Sequence, residues 1–278
     1  MDGYSFEYLT AAQRTDEWYK ERLGVITGSR FKDVVAIGVK GNYLKPRADY
    51  KQELVAERLI GMLGRKDVYV TDAMRWGQMN EDMAKTAYQL RTGNKVTEAG
   101  FAVMTKDGKR LPIGVSTDGL IGEHGNLEIK SLEPHNHLYK VIKGFEQTQD
   151  MPDDYKAQVQ GQMLVLQRDW TDFVGSDSRM PAGLDLLAVR VERDDEYCEW
   201  LFDELLKFER EVSAELHAFM RYLPVCERTC RMCGEIFTDQ LATCHNCKFS
   251  NTIVNKILAP AELQLSSLDD IKKINAGK

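Results

Sequence analysis

The sequence has no run of about 18 apolar residues, the length that a membrane-spanning helix requires. Its first residues, Met1 to Ser5, contain no basic region followed by an apolar stretch, so we expect no signal peptide and a cytoplasmic protein. In that compartment the six cysteines are not expected to form structural disulfide bonds. Internal repeats and low-complexity tracts are also missing, which excludes repeat architectures.

A net positive charge is missing as well. The formal net charge of −6 at pH 7 argues against a protein that binds nucleic acid over its whole surface. The charge is unevenly distributed, however. Residues 31–66 hold eight Lys or Arg against four Asp or Glu, and residues 192–222 hold ten acidic residues against four basic ones. The basic segment could line a phosphate backbone, or both segments could be ordinary solvated helix faces.

The chain is long enough for one large domain, or for one domain with an appendage, since 43% of its 278 residues are hydrophobic. Residue patterns predict helices at 76–90, 154–167 and 195–222, and strands at 99–104, 111–121, 126–132, 170–176 and 185–192. Spacings of three and four predict that the first of these helices buries Trp76, Met79, Met83, Ala87 and Leu90. Glu81 lies off that stripe, and periodicity alone places it in solvent.

Residues 116–130 concentrate polar side chains around a predicted hairpin, whose turn at residues 122–126 is rich in turn-forming residues. Side chains alternate between the two faces of a strand, so Glu128 and Lys130 share one face, and Asp118 on the partner strand can lie beside them. Two carboxylates and a lysine suit Mg²⁺ and a developing negative charge. Ordinary surface hairpins have the same spacing, and the pattern alone leaves both interpretations open.

The residue pattern changes after Pro224. Two CxxC pairs, Cys230 with Cys233 and Cys244 with Cys247, are separated by ten residues. Four thiolates at this spacing can form a tetrahedral zinc site, and metal binding would supply folding free energy that so short a segment cannot obtain from a core. An iron–sulfur cluster on the same cysteines is one alternative, because thiolates alone do not select the metal. The other is the CxxxCxxC spacing of Cys226, Cys230 and Cys233, which radical iron–sulfur enzymes use. We therefore predict a Cys₄ zinc-binding module at residues 225–250 and a helix with a polar tail at 251–278.

Five blocks of the sequence resemble the phage lambda exonuclease (YqaJ-like) family, in the order in which that family has them. The blocks, which span roughly residues 13–220, are Asp16 to Ser29, Trp76 to Glu81, Ser116 to Lys130, Tyr155 to Gln160 and Val191 to Tyr197. The family belongs to the PD-(D/E)xK nuclease superfamily, whose first motif reads Thr-Asp-Gly here, without the proline. The resemblance implies an α/β domain at residues 1–224, with a central mixed β-sheet flanked by helices.

The resemblance also implies residue roles. Asp118, Glu128 and the Ile129 carbonyl would hold Mg²⁺ or Mn²⁺, with Glu81 at a second ion. Lys130 would orient or activate the attacking water and steady charge on the phosphate, and Gln158 would support that water. Arg22 and Ser29 match the family's positions for a terminal 5′-phosphate. Arginine suits this role because its planar fork bonds phosphate bidentately.

The implied activity is Mg²⁺-dependent 5′→3′ exonuclease digestion of double-stranded DNA ends, which leaves a 3′ strand for a single-strand annealing protein. The family's trimeric ring and, for a phage-encoded chain, the host cytoplasm are implied as well. An endonuclease or restriction-like nuclease on the same fold is the nearest alternative, since fold does not fix substrate. A non-enzymatic zinc-dependent DNA-binding or adaptor protein is the other.

Overall fold

The computed structural model describes residues 3–11, 13, 15–61, 72–220, 225–230, 236–239 and 252–259. Its helices are α1 (Asp16–Glu21), α2 (Phe31–Val34), α3 (Lys45–Ile60), α4 (Asp72–Thr92), α5 (residues 134–148, π-helical at His137–Ile142), α6 (Lys156–Leu166) and α7 (Asp195–Met220). Its strands are β1 (Tyr4–Tyr8), β2 (Ile26–Thr27), β3 (Val96–Thr97), β4 (Ala102–Lys106), β5 (Lys109–Val115), β6 (Gly119–Ile121), β7 (Gly125–Ser131), β8 (Trp170–Ser176), β9 (Leu186–Glu192), β10 (Val225–Cys230), β11 (Ile236–Asp239) and β12 (Thr252–Ala259). None of the described helices combines the length and the apolar character needed to cross a bilayer.

The first nine strands form two mixed sheets. One has the order β1-β4-β5-β2 and the other the order β3-β6-β7-β8-β9. The pairs β2–β5 and β7–β8 are parallel, and the remaining neighbours are antiparallel. Mixed sheets flanked by helices confirm the predicted α/β class. The strands expected to share one central sheet are, however, divided between two.

The division between the sheets falls inside residues 111–121, which the sequence predicts as a single strand. β5 ends in the first sheet, and β6 begins in the second. In the connection between them, the buried Thr117 hydroxyl donates to the Leu127 carbonyl at 2.6 Å, and the Asp118 backbone amide donates to the same carbonyl at 3.0 Å. These two hydrogen bonds attach the segment that carries Asp118 to β7.

Helix α6 is buried on nearly every side because it lies between the two sheets, in contact with β4 and β5 of one and β7 and β8 of the other. Ala157 and Leu164 belong to the core that α6 shares with α3, α7 and the first sheet. Val159 and Met163 pack instead with Phe173 of β8. Polar side chains of this helix are therefore also removed from water and need partners inside the protein.

Helix α4 packs through a different face from the one predicted. Met83 and Leu90 are 56% and 82% exposed, whereas Ala84 and Tyr88 are buried against the second sheet. The predicted stripe is wrong at these positions because a small residue and a tyrosine, whose hydroxyl is hydrogen-bonded to buried Asp172, make the close contact. Glu81 precedes Ala84 by three residues, so helical spacing places it on the inward side.

The basic and acidic segments of the sequence meet where α3 packs on α7. The ion pairs between the two helices are Arg47–Glu204 (3.2 Å), Arg47–Glu211 (2.8 Å), Lys51–Glu215 (2.8 Å) and Arg58–Glu209 (2.7 Å). Arg47 is only 3% exposed and also donates to the Val34 carbonyl. Neither sequence interpretation fits these side chains, because they are neither a phosphate lining nor a solvated face but join two helices.

The last three strands form a separate antiparallel sheet with the order β11-β10-β12. Thr252–Ala259 is therefore a strand, which corrects the helix expected to begin at residue 251, and its pairing with β10 crosses the predicted boundary at residue 250. The rest of residues 251–278 lies outside the described residues, as do Cys233, Cys244 and Cys247. Cys230 is the last residue of β10. The zinc module remains a prediction.

The buried Arg47 should be a main contributor to stability. Arg47→Met removes the partner of Glu204 and Glu211 and should lower the free energy of unfolding by about 3 kcal/mol. Lys45→Ala is the matched control, because Lys45 is 80% exposed in its pair with Asp49 and should contribute less than about 0.5 kcal/mol. Urea denaturation measures both changes, and equal effects would contradict a structural role for the Arg47 pairs.

Candidate active site

The predicted hairpin residues do meet at one point, along the second half of β7, the central strand of the second sheet. Asp118 leaves the β5–β6 connection with its Oδ2 accepting a 2.7 Å hydrogen bond from the Ile129 backbone amide of β7. Glu128 and Lys130 flank Ile129 on the same strand. Glu128 is 2% exposed, so the site is not the surface hairpin that the spacing alone allowed.

The Glu128 carboxylate is held from both sides by side-chain donors. Its Oε1 accepts from Lys130 Nζ at 2.5 Å and from Gln158 Nε2 at 2.6 Å. Its Oε2 accepts from Gln162 Nε2 at 2.6 Å. Gln158 and Gln162 are four residues apart on α6 and so project from one face of the helix. A buried carboxylate costs free energy unless it is paired and hydrogen-bonded, and this set of donors meets that requirement.

The site carries an excess of negative charge around Asp118. Burial raises the pKa of Asp118 well above the usual carboxyl value, and repulsion from Glu128 and then Glu81 raises it further. Attraction to Lys130 and the hydrogen bond from Ile129 oppose the shift without cancelling it. Glu81 is therefore within electrostatic range of the hairpin. The family resemblance predicted this position, whereas helical periodicity predicted that Glu81 faces solvent.

Lys130 behaves as a fixed cation in this environment. Burial lowers its pKa, but the charges of Glu128 and Asp118 outweigh burial, and the net pKa is raised. Its ammonium lies 5.3 Å from the centroid of the Tyr155 ring. The group is thus suited to stabilising negative charge and orienting an oxygen, whereas a free amine that takes up a proton would need a lowered pKa.

A divalent cation fits the donor chemistry of the site. Buried carboxylate oxygens are hard ligands of the kind that Mg²⁺ and Mn²⁺ prefer, and a positive ion would offset the repulsion that raises the pKa of Asp118. Within the described part of the chain, no three His, Cys, Asp or Glu side chains are already gathered at chelating distance. The fit therefore rests on donor type and charge.

The predicted phosphate-binding residues lie at the neighbouring end of the first sheet. Arg22 Nη1 donates to Ser116 Oγ at 3.3 Å, and its guanidinium lies 4.1 Å from the Trp18 ring centroid. Ser29 is exposed in the 3₁₀ turn after β2, and Gly28 beside it packs on Val115, the residue before Ser116. Ser116 thus connects Arg22 to the carboxylate site, which consists of Asp118, Glu128 and the side chains that hold them.

Sequence reasoning missed Gln162 and the use of Ser116 as a connector. A signal for Gln162 was present, because it follows Gln158 by one helical turn. Periodicity did not identify Gln162, because a helix that is buried on nearly all sides has no separate polar face.

Comparison with known proteins places these residues in a family. The model of the YqaJ-like viral recombinase domain matches residues 17–173, more than half of the chain. The chain belongs to the YqaJ-like viral recombinase domain family. The matched range contains every residue of the carboxylate site together with Arg22 and Ser29. The predicted zinc ligands of this YqaJ-like protein lie beyond it.

Solved structures agree with the assignment. The alkaline exonuclease LHK-Exo from Laribacter hongkongensis is 32% identical, with a TM-score of 0.64 over 74% of this chain and 97% of LHK-Exo. A second structure of LHK-Exo, in complex with dAMP, matches equally well. A phage-related exonuclease from Haemophilus somnus 129PT, at 12% identity and a TM-score of 0.55 over 70% of this chain and 96% of that one, shares the fold. A search of curated proteins gave no match.

The electrostatics of Asp118 predict a pH-dependent cost to folding. A carboxyl whose pKa is higher in the folded chain than in the unfolded chain makes stability fall as pH rises from about 4, its unfolded value. Asp118→Asn removes this cost. In the presence of a chelator, the variant should therefore be more stable than wild type at about pH 8, with a smaller advantage at about pH 4.

Thermal denaturation at the two pH values measures this difference. Asp82→Asn, on the exposed side of α4, is the control and should leave stability unchanged at both. An Asp118→Asn variant that is less stable than wild type at about pH 8 would show that the ionised carboxylate is stabilising.

Proposed function

We propose that this YqaJ-like protein is a Mg²⁺-dependent exonuclease that digests double-stranded DNA in the 5′→3′ direction. The observation that carries the proposal is the Glu128 carboxylate, held by Lys130 and two glutamines beside Asp118, with Glu81 in electrostatic range. The family match supports it, as does LHK-Exo, an alkaline exonuclease of 32% identity.

The reaction is hydrolysis of a phosphodiester bond. A water oxygen bonds to phosphorus, the bond from phosphorus to the 3′ oxygen breaks, and that oxygen leaves with a proton. Asp118, Glu128, the Ile129 carbonyl and Glu81 would hold one or two Mg²⁺ or Mn²⁺ ions, which lower the pKa of bound water and neutralise charge on the phosphate. Lys130 would steady that charge as a cation, and Gln158 would support the attacking water and hold Glu128.

Arg22 and Ser29 would bind the 5′-phosphate of the strand being digested. Each hydrolysis returns a strand with a new 5′-phosphate, so the same pocket can accept the product end and repeat the step. The 3′ strand left behind would pass to a single-strand annealing protein. The protein would form a homotrimeric ring around the DNA. It would act in the cytoplasm of a phage-infected host.

We also propose that Cys230, Cys233, Cys244 and Cys247 hold one structural zinc ion. Paired thiolates in tight turns are a common zinc ligand set, and the support here is their spacing alone. The three-stranded sheet β11-β10-β12 is the framework on which Cys230 is carried.

The nuclease proposal is tested on linear and covalently closed circular duplex with Mg²⁺. Linear DNA should be degraded and the circle left intact, because an exonuclease needs an end. Asp118→Asn and Glu128→Gln should each lower the rate at least about 1,000-fold, since they remove charge stabilisation worth several kcal/mol. Ca²⁺ should support DNA binding without cleavage, as its geometry is looser.

The control for these variants is Asp82→Asn, which should cleave at the wild-type rate. Cutting of the circle would point to an endonuclease. Undiminished cleavage by Asp118→Asn would refute the assigned site. No cleavage by wild type would favour the DNA-binding adaptor.

End recognition is tested by comparing duplexes with a 5′-phosphate and a 5′-hydroxyl. The phosphorylated end should be degraded faster, and Arg22→Ala should reduce that advantage by about 10- to 100-fold, the contribution of charge-assisted hydrogen bonds. Arg91→Ala is the matched control, because it also removes an arginine, one that pairs with Asp185 elsewhere on the protein, and it should keep the preference for the phosphorylated end. Equal wild-type rates on the two ends would rule out a phosphate pocket at Arg22.

A further inference from the structure

Gln162 is a buried amide whose side chain donates hydrogen bonds to two groups at the candidate active site. The side chain is 0% exposed. Its Nε2 donates to the Ser116 carbonyl at 2.8 Å and to Glu128 Oε2 at 2.6 Å. Both partners can only accept, so the amide orientation is fixed with the nitrogen towards them. The opposite atom, Oε1, is buried and accepts no hydrogen bond from any residue in the described ranges.

The two partners of Gln162 lie on different segments of the chain. Ser116 belongs to the β5–β6 connection, two residues before Asp118, and Glu128 belongs to β7. One amide nitrogen thus joins the segments that carry the two carboxylates. Gln158, one turn earlier on α6, donates to the other oxygen of Glu128, so the pair of glutamines fixes the plane of that carboxylate.

We propose that Gln162 is a positioning residue of the nuclease site, which orients Glu128 and sets its separation from Asp118. The inference rests on the proposed function, since it assigns to Gln162 the geometry of a metal ligand. Groups that orient metal ligands change metal affinity or activity by about 10- to 100-fold when they are removed. Gln162 does not touch substrate in this role, and its effect passes through Glu128.

Direct Mn²⁺ binding by the full-length protein, measured by titration calorimetry without DNA, tests this role. Gln162→Met keeps the side-chain length and removes the donor, and it should weaken Mn²⁺ affinity about 10- to 100-fold. On linear duplex, kcat should fall while KM for DNA stays within about 2-fold of wild type, because Gln162 bonds neither Arg22 nor Ser29 and contacts Ser116 through its backbone carbonyl only.

Gln160→Met is the matched control on the same helix. Gln160 is also buried, but its amide bonds the Glu192 carbonyl and the Asp194 backbone amide, each at 2.9 Å, rather than the carboxylate site. Its substitution should disturb folding without changing Mn²⁺ affinity. A loss of affinity shared equally by both variants would therefore report damage to α6 and overturn the positioning role.

Wild-type Mn²⁺ affinity in Gln162→Met would also overturn the proposal. If that variant does not fold, Gln162→Asn serves instead, because its amide is one methylene too short to reach both Ser116 and Glu128, and the same loss is expected. A wild-type protein that neither binds Mn²⁺ nor degrades linear DNA would refute the nuclease function itself. If wild type binds Mn²⁺ and degrades linear DNA, and the Gln162 variants bind Mn²⁺ with the same affinity as wild type, only the role of Gln162 is refuted.

Discussion

The burial of the Glu128 carboxylate is the constraint on which the architecture around the site depends. A charge removed from water in this way is tolerated only with a full set of donors. Two of those donors, Gln158 and Gln162, come from α6, which lies between the sheets. The crossover from β7 to the parallel strand β8 contains α6, which contacts both sheets and so brings these donors to β7.

The second carboxylate is treated differently. Asp118 accepts a backbone hydrogen bond from Ile129, but the negative charges of Glu128 and Glu81 repel its own charge and contribute to its raised pKa. Sites whose charges are unbalanced in the free protein are often those that bind an ion or a charged substrate. By contrast, the charged side chains that face each other between α3 and α7 form ion pairs, and those pairs join the two helices.

Local patterns predicted much of this structure. Alternation along residues 126–132 located β7, and apolar spacing located α7. Periodicity failed on α4, where close packing against a sheet selected Ala84 and Tyr88 over the larger methionine and leucine side chains. It failed again where residues 111–121 pass from one sheet to the other, because that break is made by long-range hydrogen bonds to Leu127. The family resemblance predicted Glu81 as a site residue, and local patterns did not. Neither the resemblance nor the local patterns predicted Gln162.

The order of the chain has a consequence for how this site is assembled. The parallel pairing of β7 with β8 joins segments separated by all of α5 and α6. A nascent chain that ends at Ser131 carries Asp118 and Glu128 but none of the α6 amides that hold Glu128. In the isolated hairpin only Lys130 remains as a side-chain donor to Glu128, so burial of that carboxylate is unfavourable there and the hairpin is a poor early nucleus. Non-local pairing of this kind slows folding, and the Glu128 carboxylate stays hydrated until α6 has been synthesised and docked.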